Sequence, residues 1–272
     1  MIDLVHHVAV VVPDADAALG FYRDTLGLRV TADQTIEEQG VRGVLLALGE
    51  NEVELIQPVQ PDTGVARFLE SRGPTLHHFC FRTDDIRAEL ARLKRQGVEL
   101  IDEAPRHGLA GEVAFIHPRA MRGVLIELAQ PRAGVHTSSA KGFDHIAVYA
   151  SDLGSTAQLW EETLGLRMTG EVRPPGADLT IGQIPCGQCL VELVVPLSPQ
   201  SRIAKLIEDG GERAASVFAI EVKDIDAEVA RFRAGGLRLD DPQPGPIPNS
   251  RRTTISADQA FGLGVQLIAY AG

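Results

Sequence analysis

The chain has no apolar run long enough to span a bilayer. Its longest runs, such as Val8–Val12, fall far short of the roughly 20 residues a membrane helix needs, and no charged-then-apolar leader precedes them. The expectation is a cytoplasmic protein without membrane attachment. Cysteine is scarce: Cys80, Cys186 and Cys189 are an odd number in 272 residues. They make no disulfide framework and fit a reducing compartment. Basic charge is also short, with 26 Lys and Arg against 37 Asp and Glu and a formal charge of −11. No stretch concentrates Lys and Arg as a phosphate-binding face requires, which excludes a general nucleic-acid surface. An anionic substrate needs a local basic pocket.

The rest of the composition, 44% hydrophobic and 23% charged, is that of soluble globular protein. The length suits two domains of about 130 residues, each with its own core.

The chain repeats itself. Val5-His6-His7-Val8-Ala9-Val10 aligns with Phe143-Asp144-His145-Ile146-Ala147-Val148 at an offset of 138 residues. The same offset superposes Thr25-Leu26-Gly27-Leu28-Arg29 on Thr163-Leu164-Gly165-Leu166-Arg167, and Val53-Glu54-Leu55 on Val191-Glu192-Leu193. Further on, Asp85-Ile86 matches Asp224-Ile225 at 139 and Gly123-Val124 matches Gly264-Val265 at 141, so the duplication spans the chain. Pro131–Lys141, with one glycine, two serines and no apolar periodicity, reads as the connection. The domains are therefore expected at 1–131 and 142–272, with a linker at 132–141.

Each copy divides again. In the first, a strand-like run is followed by a helix that Asp14 or Asp16 caps, which carries Ala17, Ala18, Phe21, Tyr22 and Leu26 and stops at Gly27. Strand-like runs follow at Gly43–Leu48 and Glu52–Ile56. The pattern restarts with a strand at Leu76–Arg82, a helix at Asp85–Gln96, and strands at Glu112–Ile116 and Val124–Ala129. The fold class is α+β, with two βαβββ-like modules per half.

Each module of the first half offers one imidazole and one carboxylate: His7 and Glu54 are 47 residues apart, His78 and Glu127 are 49 apart. All four lie in strand-like runs, where the period of two sets His7 with Ala9 and Val11, and Glu127 with Leu125 and Ala129. Taken singly, each reads as an edge-strand charge or a hydrogen-bonded core histidine. The repeated spacing reverses that reading, because two buried carboxylates beside small apolar residues are costly unless paired or coordinated, and a divalent cation offsets the cost.

These features resemble the vicinal-oxygen-chelate superfamily. The first 131 residues are most similar to the methylmalonyl-CoA epimerases, through His7-Val8-Ala9-Val10 with Pro13-Asp14, Glu38-Gln39-Gly40-Val41, Leu76-His77-His78-Phe79, and His117-Pro118-Arg119 leading into Gly123-Val124-Leu125-Ile126-Glu127-Leu128. The resemblance implies four βαβββ modules forming two tandem domains with cupped, barrel-like mixed sheets. It also implies a metal (Co, Ni, Mn, Zn or Fe(II)) held by His7, Glu54, His78 and Glu127. The activity it implies is that of an isomerase taking an α-proton from a malonyl-type acyl-CoA through a metal-stabilised enolate, with Glu127 as proton shuttle. Two positions depart from the epimerase pattern. Gly43 stands where some epimerases carry a second catalytic glutamate, and Ala120 replaces a serine.

In the second copy His145 and Glu192 remain, but Val217 replaces His78 and, at the offset of 141, Ile268 replaces Glu127, so that copy is expected to hold no metal. A rival set, His78, Glu127, His145 and Glu192, assembles if the second module pairs with the third. A glyoxalase-like lyase, an extradiol-type dioxygenase and a non-catalytic ligand-binding protein are the alternative functions. The expected partner is a small molecule of the acyl-CoA kind, with no nucleic acid or membrane; a homo-oligomer is compatible with this.

Other signals are weaker. Cys186 and Cys189 have redox or zinc spacing without a second pair, and read as core packing. Strand alternation turns His6 and His77 away from the ligand face. His107, His117 and His136 fall in or near turns, and Arg106, Arg119 and Arg122 read as solvated, although His107, His117 and the arginines could meet substrate. Pro242–Pro248 reads as a stiff loop.

Overall fold

The structure is a computed structural model that describes residues 1–132 and 141–271. Most of the expected linker, and His136 with it, lies outside the described residues.

The first half forms β1 (Ile2–Val11), α1 (Ala15–Leu19), β2 (Arg29–Ile36), β3 (Val41–Leu48), β4 (Asn51–Pro58), α2 (Gly64–Arg72), β5 (Thr75–Thr83), α3 (Ile86–Arg95), β6 (Arg106–Gly108), β7 (Gly111–Ile116) and β8 (Ile126–Gln130). The second half repeats it as β9 (Phe143–Tyr149), α4 (Leu153–Leu164), β10 (Gly170–Val172), β11 (Leu179–Cys186), β12 (Cys189–Pro196), α5 (Arg202–Gly210), β13 (Arg213–Glu221), α6 (Ile225–Ala234), β14 (Gln243–Pro244), β15 (Ser250–Ile255) and β16 (Gly264–Tyr270). Each half is thus two βαβββ modules joined by a helix, α2 or α5, that the sequence pattern did not announce.

All four module helices start on an aspartate. Asp14, Asp85, Asp152 and Asp224 are extended, and their side chains accept hydrogen bonds from backbone N–H groups of the first turn. The helix after β1 runs on through a π-helical turn, Gly20–Thr25, that buries Phe21 and Tyr22.

Two mixed eight-stranded sheets result, ordered β2-β3-β4-β1-β5-β8-β7-β6 and β10-β11-β12-β9-β13-β16-β15-β14. In the first, β1 runs parallel to β4 and antiparallel to β5, so the first and second modules meet edge to edge along β1 and β5. In the second, β9 and β13 make the same junction. No strand of one sheet pairs with the other among the described residues, so the second module does not combine with the third.

The expectation of two separate cores is not met: one apolar cluster runs through both halves. The reason is that each half covers part of its outer sheet face with the other. Trp160 of α4 is fully buried and packs edge-on against Phe81 of β5, ring centroids 5.9 Å apart. Burying a side chain such as Phe81 contributes about 1.5–3 kcal/mol. The Tyr22 hydroxyl donates to the Ala260 carbonyl at 2.9 Å. The halves meet as pseudo-two-fold mates: Gly123, with φ +97°, lies against the Glu212 carbonyl, and Gly262, with φ +95°, lies against Pro74. Any Cβ there would meet backbone in a conformation glycine alone adopts freely. No helix among the described residues is long and apolar enough to cross a membrane.

Candidate metal centre

The pairing of β1 with β4 and β5, and of β5 with β8, brings His7, Glu54, His78 and Glu127 to the middle of the first cup. Ala9 pairs with both Glu54 and His78, while Cys80 pairs with His7 and Glu127. The four side chains are buried. His7 Nε2 lies 3.2 Å from Glu54 Oε2, 3.2 Å from Glu127 Oε2 and 3.2 Å from His78 Nε2. His78 Nε2 lies 3.6 and 3.5 Å from the same two carboxylate oxygens.

Donors about 2.0–2.2 Å from a shared ion stand roughly 3–3.5 Å apart, so the spacing and chemistry of this set fit a divalent cation. Without one, the charges neutralise each other. Burial disfavours the His7 imidazolium, and contacts with Cys80, Glu127 and Glu54 outweigh it, holding its pKa well above the usual range. The Cys80 thiol is itself pushed up by burial, which leaves the Glu54 and Glu127 carboxylates as the partners that raise His7. Burial also disfavours the Glu127 carboxylate, yet His7 and His78 hold it well below the usual carboxylate range.

His6 and His77 are not turned away, because β1 and β5 are both irregular at these positions. Register shifts fall between Val5 and His7 and between Ala9 and Val10 opposite Leu76 and His78. Each bulge leaves one extra residue and lets two successive side chains share a face. His6 Nδ1 lies 2.9 Å from His7 Nδ1, and His77 Nδ1 lies 2.9 Å from His78 Nδ1. Both ligand-type imidazoles are therefore oriented from behind with Nε2 directed at the centre. Burial and then the neighbouring His78 push His77 down to about 3, so it is neutral.

Further residues complete the surroundings. Phe115 packs edge-on against His78 at 5.1 Å, with the Arg106 guanidinium 5.3 Å from the Phe115 ring centre. A cavity of about 180 Å³ beside the cup is lined by His6, Thr31, Glu52 and His107, with Leu109 at its edge. Leu109 lies against Gly43, where a Cβ would press on its Cδ2. Ala9, Val11, Val41 and Ile56, under Phe68 and Leu69 of α2, give an apolar wall. Arg119 pairs with Glu99, His117 accepts from the Arg119 N–H, and Arg122 reaches the Ser155 and Thr156 hydroxyls of the other half. Cys80, Thr31, Glu52 and Leu109 carried no signal of their own in the sequence. The adjacent histidine pairs, 71 residues apart, did.

The second cup needs one correction. Val217 does stand at the position of His78, two residues before Ala219, the partner of His145. Ala219 then pairs with Gln266, as Cys80 pairs with Glu127, so Gln266 and not Ile268 replaces Glu127. The offset stays at 139, and the glycine that matches Gly123 is Gly262. His145 Nε2 is 3.8 Å from Glu192 Oε2, and its Nδ1 meets Asp144 Oδ1 at 2.9 Å, Asp144 taking the place of His6. His145 and Glu192 stay in this cup, so the rival set with His78 and Glu127 does not assemble. Cys186 and Cys189 are free, buried and part of the shared core.

Comparison with known proteins agrees with this architecture. Residues 6–115 and residues 142–267 each match a family model of the glyoxalase/bleomycin resistance protein/dioxygenase superfamily. The ethylmalonyl-CoA/methylmalonyl-CoA epimerase of Cereibacter sphaeroides is 38% identical over 134 residues, 48% of this chain and 99% of its own. An uncharacterized Bacillus subtilis protein, YqjC, is 39% identical over 131 residues, 48% of this chain and 94% of its own. The epimerase similarity falls on the N-terminal half. Across the whole chain, the structure of a mutant 4-hydroxymandelate synthase from Streptomyces coelicolor superposes with a TM-score of 0.74 at 20% identity, covering 100% of this chain and 94% of that one, which shows the shared fold. The chain belongs to the glyoxalase/bleomycin resistance protein/dioxygenase superfamily, with one such domain in each half.

Proposed function

We propose that the first domain, residues 1–131, is a metal-dependent isomerase that moves the α-proton of a malonyl-type acyl-CoA, and that 142–272 is a second domain of the same fold without its metal. The observation that carries this reading is that each of two imidazole Nε2 atoms lies within 3.6 Å of both carboxylates. The match to an ethylmalonyl-CoA/methylmalonyl-CoA epimerase, over 48% of this chain and 99% of that protein, supports it. His7, Glu54, His78 and Glu127 would hold a divalent ion, which supplies Lewis acidity that makes a proton next to a carbonyl easier to remove.

The chain's own groups do the rest. His6 and His77 fix the ligand imidazoles from behind. The apolar wall of Ala9, Val11, Val41 and Ile56 keeps water from the reacting face. Glu127, buried and within 3.5 Å of both imidazoles, is the group assigned to take and return the proton. Gly43 supplies no carboxylate of its own, and the Leu109 side chain packs against it. Three free, buried cysteines fit action in the cytoplasm.

The test is solvent deuterium exchange at the α-carbon of methylmalonyl-CoA, followed by NMR. The metal-loaded chain is expected to catalyse it, and Glu127→Gln to slow it by about 100-fold or more. No catalysed exchange with methylmalonyl-CoA, ethylmalonyl-CoA or malonyl-CoA would sink the proposal.

A further inference from the structure

The second cup has lost half of the metal-type set, yet it has not filled in. It encloses a cavity of about 480 Å³, within the range of roughly 300–1,000 Å³ typical of small-molecule sites. Leu179, Ile181, Val194 and Val217 form an apolar lining, and Pro244 and Pro246 of the stiff loop close one side.

The polar groups in it are unevenly satisfied. Glu192 is occupied: its carboxylate accepts from Gln183 Nε2 at 3.4 Å and faces His145 Nε2 at 3.8 Å. His145 is occupied at Nδ1 by Asp144. By contrast, Arg252, which is exposed at the rim, and the half-buried Gln266 line the cavity, and neither side chain has a hydrogen-bond or ion-pair partner among the described residues. Burial alone would make His145 less basic, but Asp144 and Glu192 outweigh it and favour the imidazolium. His145 and Glu192 thus face each other inside the cup, while Arg252 at the rim is engaged by neither.

We propose that the second cup is a metal-independent binding site for an organic carboxylate with a compact apolar body. The guanidinium of Arg252 takes the carboxylate through a two-pronged pair of N–H donors, the Gln266 amide adds a third donor, and the body rests on Ile181, Val194 and Val217. The metal of the first cup takes no part, and the proposal stands independently of the reaction assigned there.

Isothermal titration of the full chain, EDTA-treated and metal-loaded, with sodium hexanoate and sodium benzoate tests this. Hexanamide and hexylamine serve as neutral and cationic counterparts of hexanoate. At least one carboxylate is expected to bind at one site per chain, equally with and without metal. Hexanamide, and the Arg252→Gln variant, should each weaken hexanoate-type binding at least tenfold, and Val217→Trp, which fills the cup, should abolish it. Circular dichroism of the two variants confirms that they fold. The proposal is overturned by no binding of either carboxylate at millimolar concentration, or by hexanamide or hexylamine binding as tightly as hexanoate. It is equally overturned by binding that persists in Arg252→Gln and Val217→Trp but disappears on metal removal, which would place the ligand in the first cup.

Discussion

Gln266 stands in the second sheet where Glu127 stands in the first, each beside the strand residue that pairs with the cup's first histidine. The two cups therefore differ at only two of four ligand-type positions, Val217 for His78 and Gln266 for Glu127. Restoring both should restore the site. The double variant Val217→His with Gln266→Glu is expected to raise the metal content from one to two ions per chain by elemental analysis. Retention of a single ion would show that the second cup is no longer shaped to hold one.

The Asp144–His145 pair gives a pH signature. Burial lowers His145, and the hydrogen bond its Nδ1–H donates to Asp144 and the charge of Glu192 more than compensate, against opposition from Arg252. Asp144 is held below its usual range, burial being outweighed by His145 and then Lys141. The stabilisation from His145 is complete below about pH 6.5, its unfolded value, and is lost as pH rises through its raised folded pKa. The stabilisation from Asp144 is complete above about pH 3.9 and is lost as pH falls through its depressed folded pKa. Asp144→Asn should move the His145 imidazole titration, followed by NMR, toward lower pH. An unchanged midpoint would contradict the assignment.

Asn51 joins the two halves. Its buried side chain donates to the Val5 carbonyl of β1 and accepts from the Phe143 N–H of β9 at 2.7 Å. Asn51→Ala strands both groups, at a cost of about 1–3 kcal/mol each. Urea unfolding measures it. A loss below about 0.5 kcal/mol, the scale of an ordinary surface change, would mean that water or backbone replaces the bridge.

The duplication made the fold and the four converging residues legible, because modules repeated at constant spacing place their strands alike. Three features were not legible, each for a physical reason. Strict alternation assigned His6 and His77 to the wrong face, since a bulge inserts one residue and leaves no local mark in the sequence. The offset of 141 taken from Gly264 points to Ile268; the structural match is Gly262, two residues earlier, and a slip of two keeps every side chain on its original face, so periodicity does not reveal it. The shared core, with Trp160 on Phe81, depends on which sheet a helix covers. An apolar helix face is the same against either.

The central claim is that one metal is held by the first cup alone. Elemental analysis of the wild-type chain, His78→Ala and Glu192→Gln tests it most directly. One ion per chain is expected in the wild type and in Glu192→Gln, and none in His78→Ala. A wild type that carries no metal when supplied with Co, Ni, Mn, Zn or Fe(II), or a metal lost from Glu192→Gln and kept in His78→Ala, would contradict it.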